Sequence, residues 1–374
     1  MMQRSANPAS AASSDEFAAD YFSARKQFLR LASNIGAQIA SYPIGARGPA
    51  GEHLSIDTAH FSNAASKRLL VLTSGVHGAE GLAGSALQQY LLRTRFSDPR
   101  KQPACTVLFV HAVNPYGFAH IRRANENNVD LNRNCITRFP GPDNPAYADF
   151  DFLLNPRAPL RPHQPFLPQL LWLGIRRGPR TARQAIAGGQ YAFPRGLFYG
   201  GAERQQSTET LYQILRMFAT QQTRHVLHID IHTGLGKYGY ATLLAHEAPG
   251  SDELCQLQAW LSAERVLSSY AAGATTYAAI GTLGWLTKEI FAHAKVYAAT
   301  MELGTYSLLH VLSALRRENQ YHHYGAADAS TGLQVKADLL QAFCPADARW
   351  RARVLQHGAR VFREAALGLQ LVAC

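Results

Sequence analysis

Residues 73–85 read "TSGVHGAEGLAGS", a small-residue stretch that holds His77 and Glu80 three positions apart. The apolar run "RLLVL" leads into it, so an imidazole and a carboxylate sit where a buried strand should end. Two distant segments repeat the arrangement. "RHVLHIDIHTGLG" delivers Asp230 and His232 ahead of a glycine, and "VYAATMELGT" delivers Glu302 ahead of another. With 15 histidines, about one His-x-x-Glu pair is expected by chance, and one occurs, so that pair alone carries little. The shared position at strand ends carries more. In open α/β sheets the ligand crevice lies beyond the carboxyl ends of the strands, and strand-end loops hold function.

These residue types fit one chemistry. Two neutral imidazoles and a carboxylate, His77, His232 and Glu80, make a three-ligand zinc site with its fourth position open. An ion in such a site brings the pKa of water down to about 7. A second carboxylate, off the metal, must then take and return a proton. Glu302 is the candidate. The segment "NPYGFAHIRRANENNVDLNRN", residues 114–134, adds arginine and asparagine beside an acid just after another apolar run. The planar fork of arginine suits a polarised carbonyl or a carboxylate.

Taken in order, His77-x-x-Glu80, "NPYG", Arg123-x-Asn125, "VDLNRN", His232 and Glu302 resemble the zinc carboxypeptidase superfamily. The chain is most similar to a bacterial branch of uncharacterised carboxypeptidase-like proteins that share "DLNRN", "HTGLG" and "GGQY". The resemblance implies that His77, Glu80 and His232 bind one Zn2+ ion and that Glu302 is the general base and acid. It implies that Arg123 stabilises the oxyanion, that Asn132 and Arg133 hold the terminal carboxylate of the substrate, and that Asp130 orients His77. The choice of Arg123 over the adjacent Arg122 comes from the motif alone. The implied substrate is a small peptide with a free C-terminus. An acylated amino acid is the alternative, because deacylases of the same superfamily keep the metal set. A non-catalytic binding protein is a third reading. Digestive-type members carry a mobile tyrosine upstream of the catalytic glutamate. Tyr270, Tyr277 and Tyr297 precede Glu302, and none sits in a matching motif.

The elements that must position these residues follow from pattern. "SSDE" offers a capping box, Ser13 with Glu16, ahead of a helix to about Ser41. "HLSIDTAHF" alternates like an edge strand, and "KRLLVLTSG" reads as a central strand covered on both faces. "GLAGSALQQYLLRTRF" is the following helix, and "CTVLFVHAV" a second buried strand ended by the turn "NPYG". "STETLYQILRMFATQQ" is a helix with Ser207 or Thr208 as cap, and residues 331–370 are helical with a break at Pro345. "GGQYAFPRGLFYGG" is expected to wall the pocket. Strand, helix, strand in this order predicts a parallel sheet with helical crossovers. The expected fold is an α/β/α sandwich around a mixed, largely parallel sheet. The expected organisation is one domain over 13–374, with disordered residues 1–12 and a long loop-rich insertion at about 135–203.

Composition narrows the class. The chain has 374 residues, 47% hydrophobic and 17% charged, which supports a sizeable core. Its net charge is +11, but the basic residues are scattered and no nucleic-acid module accompanies them. The densest group, Arg176, Arg177, Arg180 and Arg183, reads as a solvated surface loop. Five cysteines without a CxxC argue for a reducing compartment. No signal-peptide core and no membrane-length apolar run occur. A soluble cytoplasmic protein without nucleic-acid or membrane partners is expected.

Overall fold

The strand that leads into His77 is flanked by strands on both sides, which is why it carries an unbroken apolar run. The structure, a computed structural model, describes residues 16–161, 164–262, 264–270, 279–326 and 328–372. Eight strands among these form one sheet: β1 (Gln38–Arg47), β2 (His53–Phe61), β3 (Arg68–Ser74), β4 (Thr106–His111), β5 (His225–Gly234), β6 (Ala241–Ala245), β7 (Val266–Ser268) and β8 (Lys295–Gly304). Their order across the sheet is β1-β2-β4-β3-β5-β8-β6-β7. The pairs β3–β4, β3–β5, β5–β8 and β6–β7 are parallel; β1–β2, β2–β4 and β6–β8 are antiparallel. The sheet is mixed with a parallel centre, as expected.

Helices cover both faces. In chain order they are α1 (Tyr21–Asn34), α2 (Gly81–Leu91), α3 (Pro115–Ala119), α4 (Ala148–Leu154), α5 (Leu167–Arg177), α6 (Pro179–Ala187), α7 (Gln206–Phe218), α8 (Asp252–Leu261), α9 (Leu283–Ile290), α10 (Leu308–Tyr324), α11 (Ala329–Phe343) and α12 (Ala348–Gln370). Side chains of a strand alternate between faces. His228 Nδ1 lies 2.7 Å from Thr287 Oγ1 of α9, so His228, Asp230 and His232 of β5 face the layer that holds α9 and α7. On the other face Phe109 of β4 stacks over Phe362 of α12, and α12 packs against α2, where the Leu87 side chain meets Gly358. The result is a three-layer α/β/α sandwich.

Several expectations about elements are corrected. The first helix ends at Asn34, and Gly36 at φ +77° closes it with a bond from the Ala37 N–H to the Ala32 carbonyl. Residues 38–41, expected to finish that helix, instead open the edge strand β1. β1 hides "HLSIDTAHF" from the edge, so β2 is an inner strand whose residues Leu54–Ala59 are buried. "NPYG" opens the short helix α3, with Asn114 Oδ1 accepting from the Gly117 N–H, rather than a free turn. The insertion carries α4, α5 and α6, and the arginine-rich group lies on α5 and α6. The cap of α7 is Gln205, and Ser207 and Thr208 are buried inside its first turn. The expected disorder of residues 1–12, the Ser13 cap, Tyr277 and Cys374 lie outside the described residues. No described helix is long and apolar enough to cross a membrane.

Candidate metal centre

The loop after β3 is fixed before it reaches His77. Val113 and Asn114 N–H groups donate to the carbonyls of Ser74 and Gly75, and Gly78 and Ala79 N–H groups donate to the carbonyls of Arg123 and Arg122. Gly78–Glu80 then form one tight 3₁₀ turn that runs into α2. Gly78 has to be glycine here: a Cβ on it would lie 1.8 Å from the Gly117 carbonyl carbon of α3. The turn projects His77 and Glu80 together, and β5 brings His232 to them. One ligand atom from each of the three lies within 4.8 Å of the others.

The orientation of the two rings is set by carboxylates. His77 Nε2 lies 3.0 Å from Asp130 Oδ1, and His232 Nε2 lies 2.5 Å from Asp230 Oδ2. An ionised carboxylate only accepts, so both Nε2 atoms are the protonated ones in the neutral tautomers. Each Nδ1 lone pair then points at Glu80: His77 Nδ1 is 2.9 Å from Oε1 and His232 Nδ1 is 3.3 Å from Oε2. In those tautomers three acceptors converge without a donor, and a cation between them, a metal ion or otherwise a proton on a ring nitrogen, relieves the repulsion. Burial opposes charge on Glu80, but His77 and His232 outweigh it and hold its pKa far below the usual carboxylate range. Burial likewise opposes a charged His232, yet Asp230 and Glu80 raise its pKa well above an ordinary imidazole. The donor set, two histidines and a carboxylate with carboxylate-anchored outer nitrogens, fits zinc.

A family model described as a protein of unknown function, DUF2817, matches residues 17–357. The chain belongs to this family. Among curated proteins none matches it. Solved structures similar to the chain include a metallo-carboxypeptidase from Burkholderia cenocepacia, 12% identical, TM-score 0.45, covering 89% of this chain and 68% of that one. Carboxypeptidase A from Helicoverpa armigera is 14% identical, TM-score 0.44, covering 87% and 74%. Bovine thrombin-activatable fibrinolysis inhibitor, in complex with tick carboxypeptidase inhibitor, is 12% identical, TM-score 0.46, covering 92% and 98%.

Around the three ligand candidates this DUF2817 chain gathers the other residues singled out by sequence. Glu302 sits beside His232 because β5 and β8 pair His232 with Glu302 in parallel register. Its Oε2 accepts from the Leu235 N–H at 3.4 Å. Burial pushes its pKa up to about 7, with His232 pulling down and Glu80 pushing up. Two buried glutamates in one pocket are thus driven apart, one held ionised and one poised near neutrality. Arg123 Nε and Nη2 both reach Asp130 Oδ2 at 3.0 Å, and its Nη1 is 3.6 Å from Glu80 Oε1. Burial disfavours the Asp130 carboxylate, but Arg123, His77 and Arg133 hold its pKa well below the ordinary value. Asn132 and Arg133 line the same pocket. Asn132 Oδ1 accepts from the Leu283 N–H at the start of α9, and Arg133 donates to the carbonyls of Asn132 and Ala187.

The centre opens onto a larger chamber of about 520 Å³. Phe198, Leu244 and Glu302 line both spaces. "GGQYAFPRGLFYGG" contributes Phe198 to this wall, while Gln190 bonds within the loop and the Tyr191 hydroxyl donates to the Arg133 carbonyl at 2.6 Å. Tyr297 is buried near the start of β8, against Trp260, at the end of the strand away from Glu302. Tyr270 is exposed, next to the pocket-lining Ser269. One contributor had no assigned role in the sequence reading: Asp230 anchors His232 as Asp130 anchors His77. The signal was present, since Asp-x-His on a strand puts both side chains on one face.

Proposed function

We propose that this chain is a zinc-dependent hydrolase of an amide bond next to a free carboxylate. The observation that carries the proposal is the arrangement of six buried groups. Two imidazoles anchored by Asp130 and Asp230 turn their Nδ1 atoms to Glu80, and Glu302 stands beside them, off the cluster, near neutral pKa. His77 Nδ1, Glu80 and His232 Nδ1 would hold the ion. When bound, zinc polarises a carbonyl oxygen and acidifies water.

The remaining roles belong to side chains. Glu302, through its carboxylate, takes a proton from the attacking water and returns it to the leaving nitrogen, so that amide and water become acid and amine. A group with pKa near 7 is suited to both transfers at neutral pH. Arg123, held by Asp130 beside the cluster, donates to the substrate carbonyl oxygen as negative charge builds there. Asn132 and Arg133 receive the free carboxylate and so fix which amide is presented. The apolar chamber of about 520 Å³ takes the acyl side. That side is a peptide residue in a carboxypeptidase-like enzyme or an acyl chain in a deacylase, and the size of the chamber suits either.

A substrate panel tests the reading. Zinc-loaded protein is offered peptides with free and with amidated C-termini, and N-acyl amino acids of increasing chain length. Turnover is expected for free carboxylates, is abolished by a chelator, and falls by about 10²–10⁴ in Glu302→Gln with zinc retained. Full activity in Glu302→Gln, or no turnover of any amide by metal-replete protein, sinks the proposal.

A further inference from the structure

Arg122 and Arg123 are neighbours in sequence and part company in space. Arg123 faces the metal centre, whereas Arg122 runs the opposite way into a second cavity of about 330 Å³ between α3, α10 and α11. That volume is at the lower end for small-molecule sites. The lining is one-sided in charge. It holds two cations, Arg122 and Lys336, two imidazoles, His120 and His322, and two phenols, Tyr116 and Tyr321. No carboxylate is among the described lining residues.

The cations share a single counter-charge behind the wall. Arg122 Nε and Lys336 Nζ reach the same oxygen of Glu318, Oε1, at 3.0 and 2.7 Å. Arg122 Nη2 donates to Asn128 Oδ1 at 2.9 Å. Its Nη1 is buried without a hydrogen-bond partner, and Arg122 as a whole is 1% exposed. Burial raises the pKa of Glu126, the other acid near Tyr116, and lowers that of Lys336. Glu318 is the one carboxylate that pairs directly with both cations, and its Oε1 alone serves the two, so the guanidinium edge that bears Nη1 has no carboxylate of its own.

We propose that this cavity binds a phosphate-type oxyanion, as free phosphate or as a small phosphate monoester, at a site separate from the metal centre. Arg122 and Lys336 supply the charge, His322 and the two phenols supply donors around it, and His120, whose Nε2–H donates to the Arg47 carbonyl, closes one side. A small anion there completes the pairing that Glu318 leaves half made. The site also touches the metal loop. The Arg122 carbonyl accepts from the Ala79 N–H at 2.8 Å, so bracing Arg122 braces the turn that carries His77 and Glu80.

Calorimetric titration of the zinc-loaded protein with inorganic phosphate, and separately with glycerol 3-phosphate, tests this, with chloride and acetate at matched ionic strength as controls. One saturable site per chain is expected for phosphate, with no equivalent for the controls. Tight binding of the monoester and weak binding of phosphate would assign the natural ligand to phosphorylated molecules, and the reverse to the free ion. Lys336→Gln should weaken binding about tenfold or more, the usual worth of a charged hydrogen bond. His322→Ala, which leaves the Glu318 pairs intact, should weaken it as well and guards against a folding defect in the first variant. Phosphate held by zinc itself or by scattered surface arginines would survive both substitutions. Unchanged affinity in both variants, or no saturable binding of either probe, overturns the proposal.

Discussion

Asp130 and Asp230 decide which nitrogen each imidazole offers, and single substitutions can test that. Asp230→Asn keeps the shape but can present an amide N–H where His232 Nε2–H needs an acceptor. Metal affinity is expected to fall about 10–100-fold, measured by competition with a chromophoric chelator. Unaltered affinity would remove Asp230 from the support of the centre. Arg123→Ala separates holding the ion from using it. Its loss should lower kcat about a hundredfold or more while zinc content by elemental analysis stays near one per chain. A rise in KM alone, with kcat intact, would place Arg123 in ground-state binding instead. At this scale histidine, glutamate and arginine are readable because their chemistry is carried by the side chain itself.

Elements set where those side chains meet. The parallel pairing of β5 with β8 puts His232 and Glu302 side by side, and the 3₁₀ turn after β3 adds His77 and Glu80 across the crevice. That turn lies against the backbone of α3, which cannot give way as a flexible side chain can. Gly78→Ala should therefore displace the turn, cost about 1–3 kcal/mol of stability and release the metal. Gly174→Ala is the control. It lies in α5, its nearest neighbour beyond the helix is 3.9 Å from the added Cβ, and it should stabilise by up to about 1 kcal/mol. Denaturant midpoints and metal content of the two variants distinguish the cases. Equal behaviour would mean that the contact of the turn with α3 is soft.

The whole molecule responds to pH through groups outside the centre as well. His111, at the end of β4, is fully buried, stacked on Phe28 of α1 and 2.9 Å from Ser85 Oγ of α2. Burial, with Arg25 adding to it, pushes its pKa down to about 3. The unfolded chain protonates this histidine near its ordinary value of 6.5, and the folded chain does not until about 3. The unfolded state therefore binds more protons in that window. This contribution to stability is complete above about 6.5 and is lost as pH falls toward 3. Denaturation at pH 7.5 and 5.0 should show a smaller loss in His111→Phe than in the unchanged chain. The comparison between the two cancels the other titrating groups, and an identical loss in both would show that His111 titrates normally in the fold.

Much of the centre was legible from residue type and position. Apolar runs ending in a polar residue and glycine mark buried strands and their carboxyl ends, so β3, β5 and β8 and the residues His77, Glu80, His232 and Glu302 could be gathered before any contact was known. β1 was not legible, because an edge strand that is mostly exposed and holds Pro43 shows no apolar alternation. Yet the glycine that ends the helix before it, Gly36, was in plain view. Asp130 as the partner of His77 and the choice of Arg123 were implied by the resemblance, but the ring tautomers, the burial of Arg122 against Glu318 and the opposite fates of two glutamates were decided only in three dimensions. A pKa, a tautomer and a direction of projection depend on what packs around a group, and for His77 and Arg122 those neighbours come from segments about 50 and 200 residues away. Residue types at the strand ends were readable in the chain, and the packing chose which of their atoms face one another.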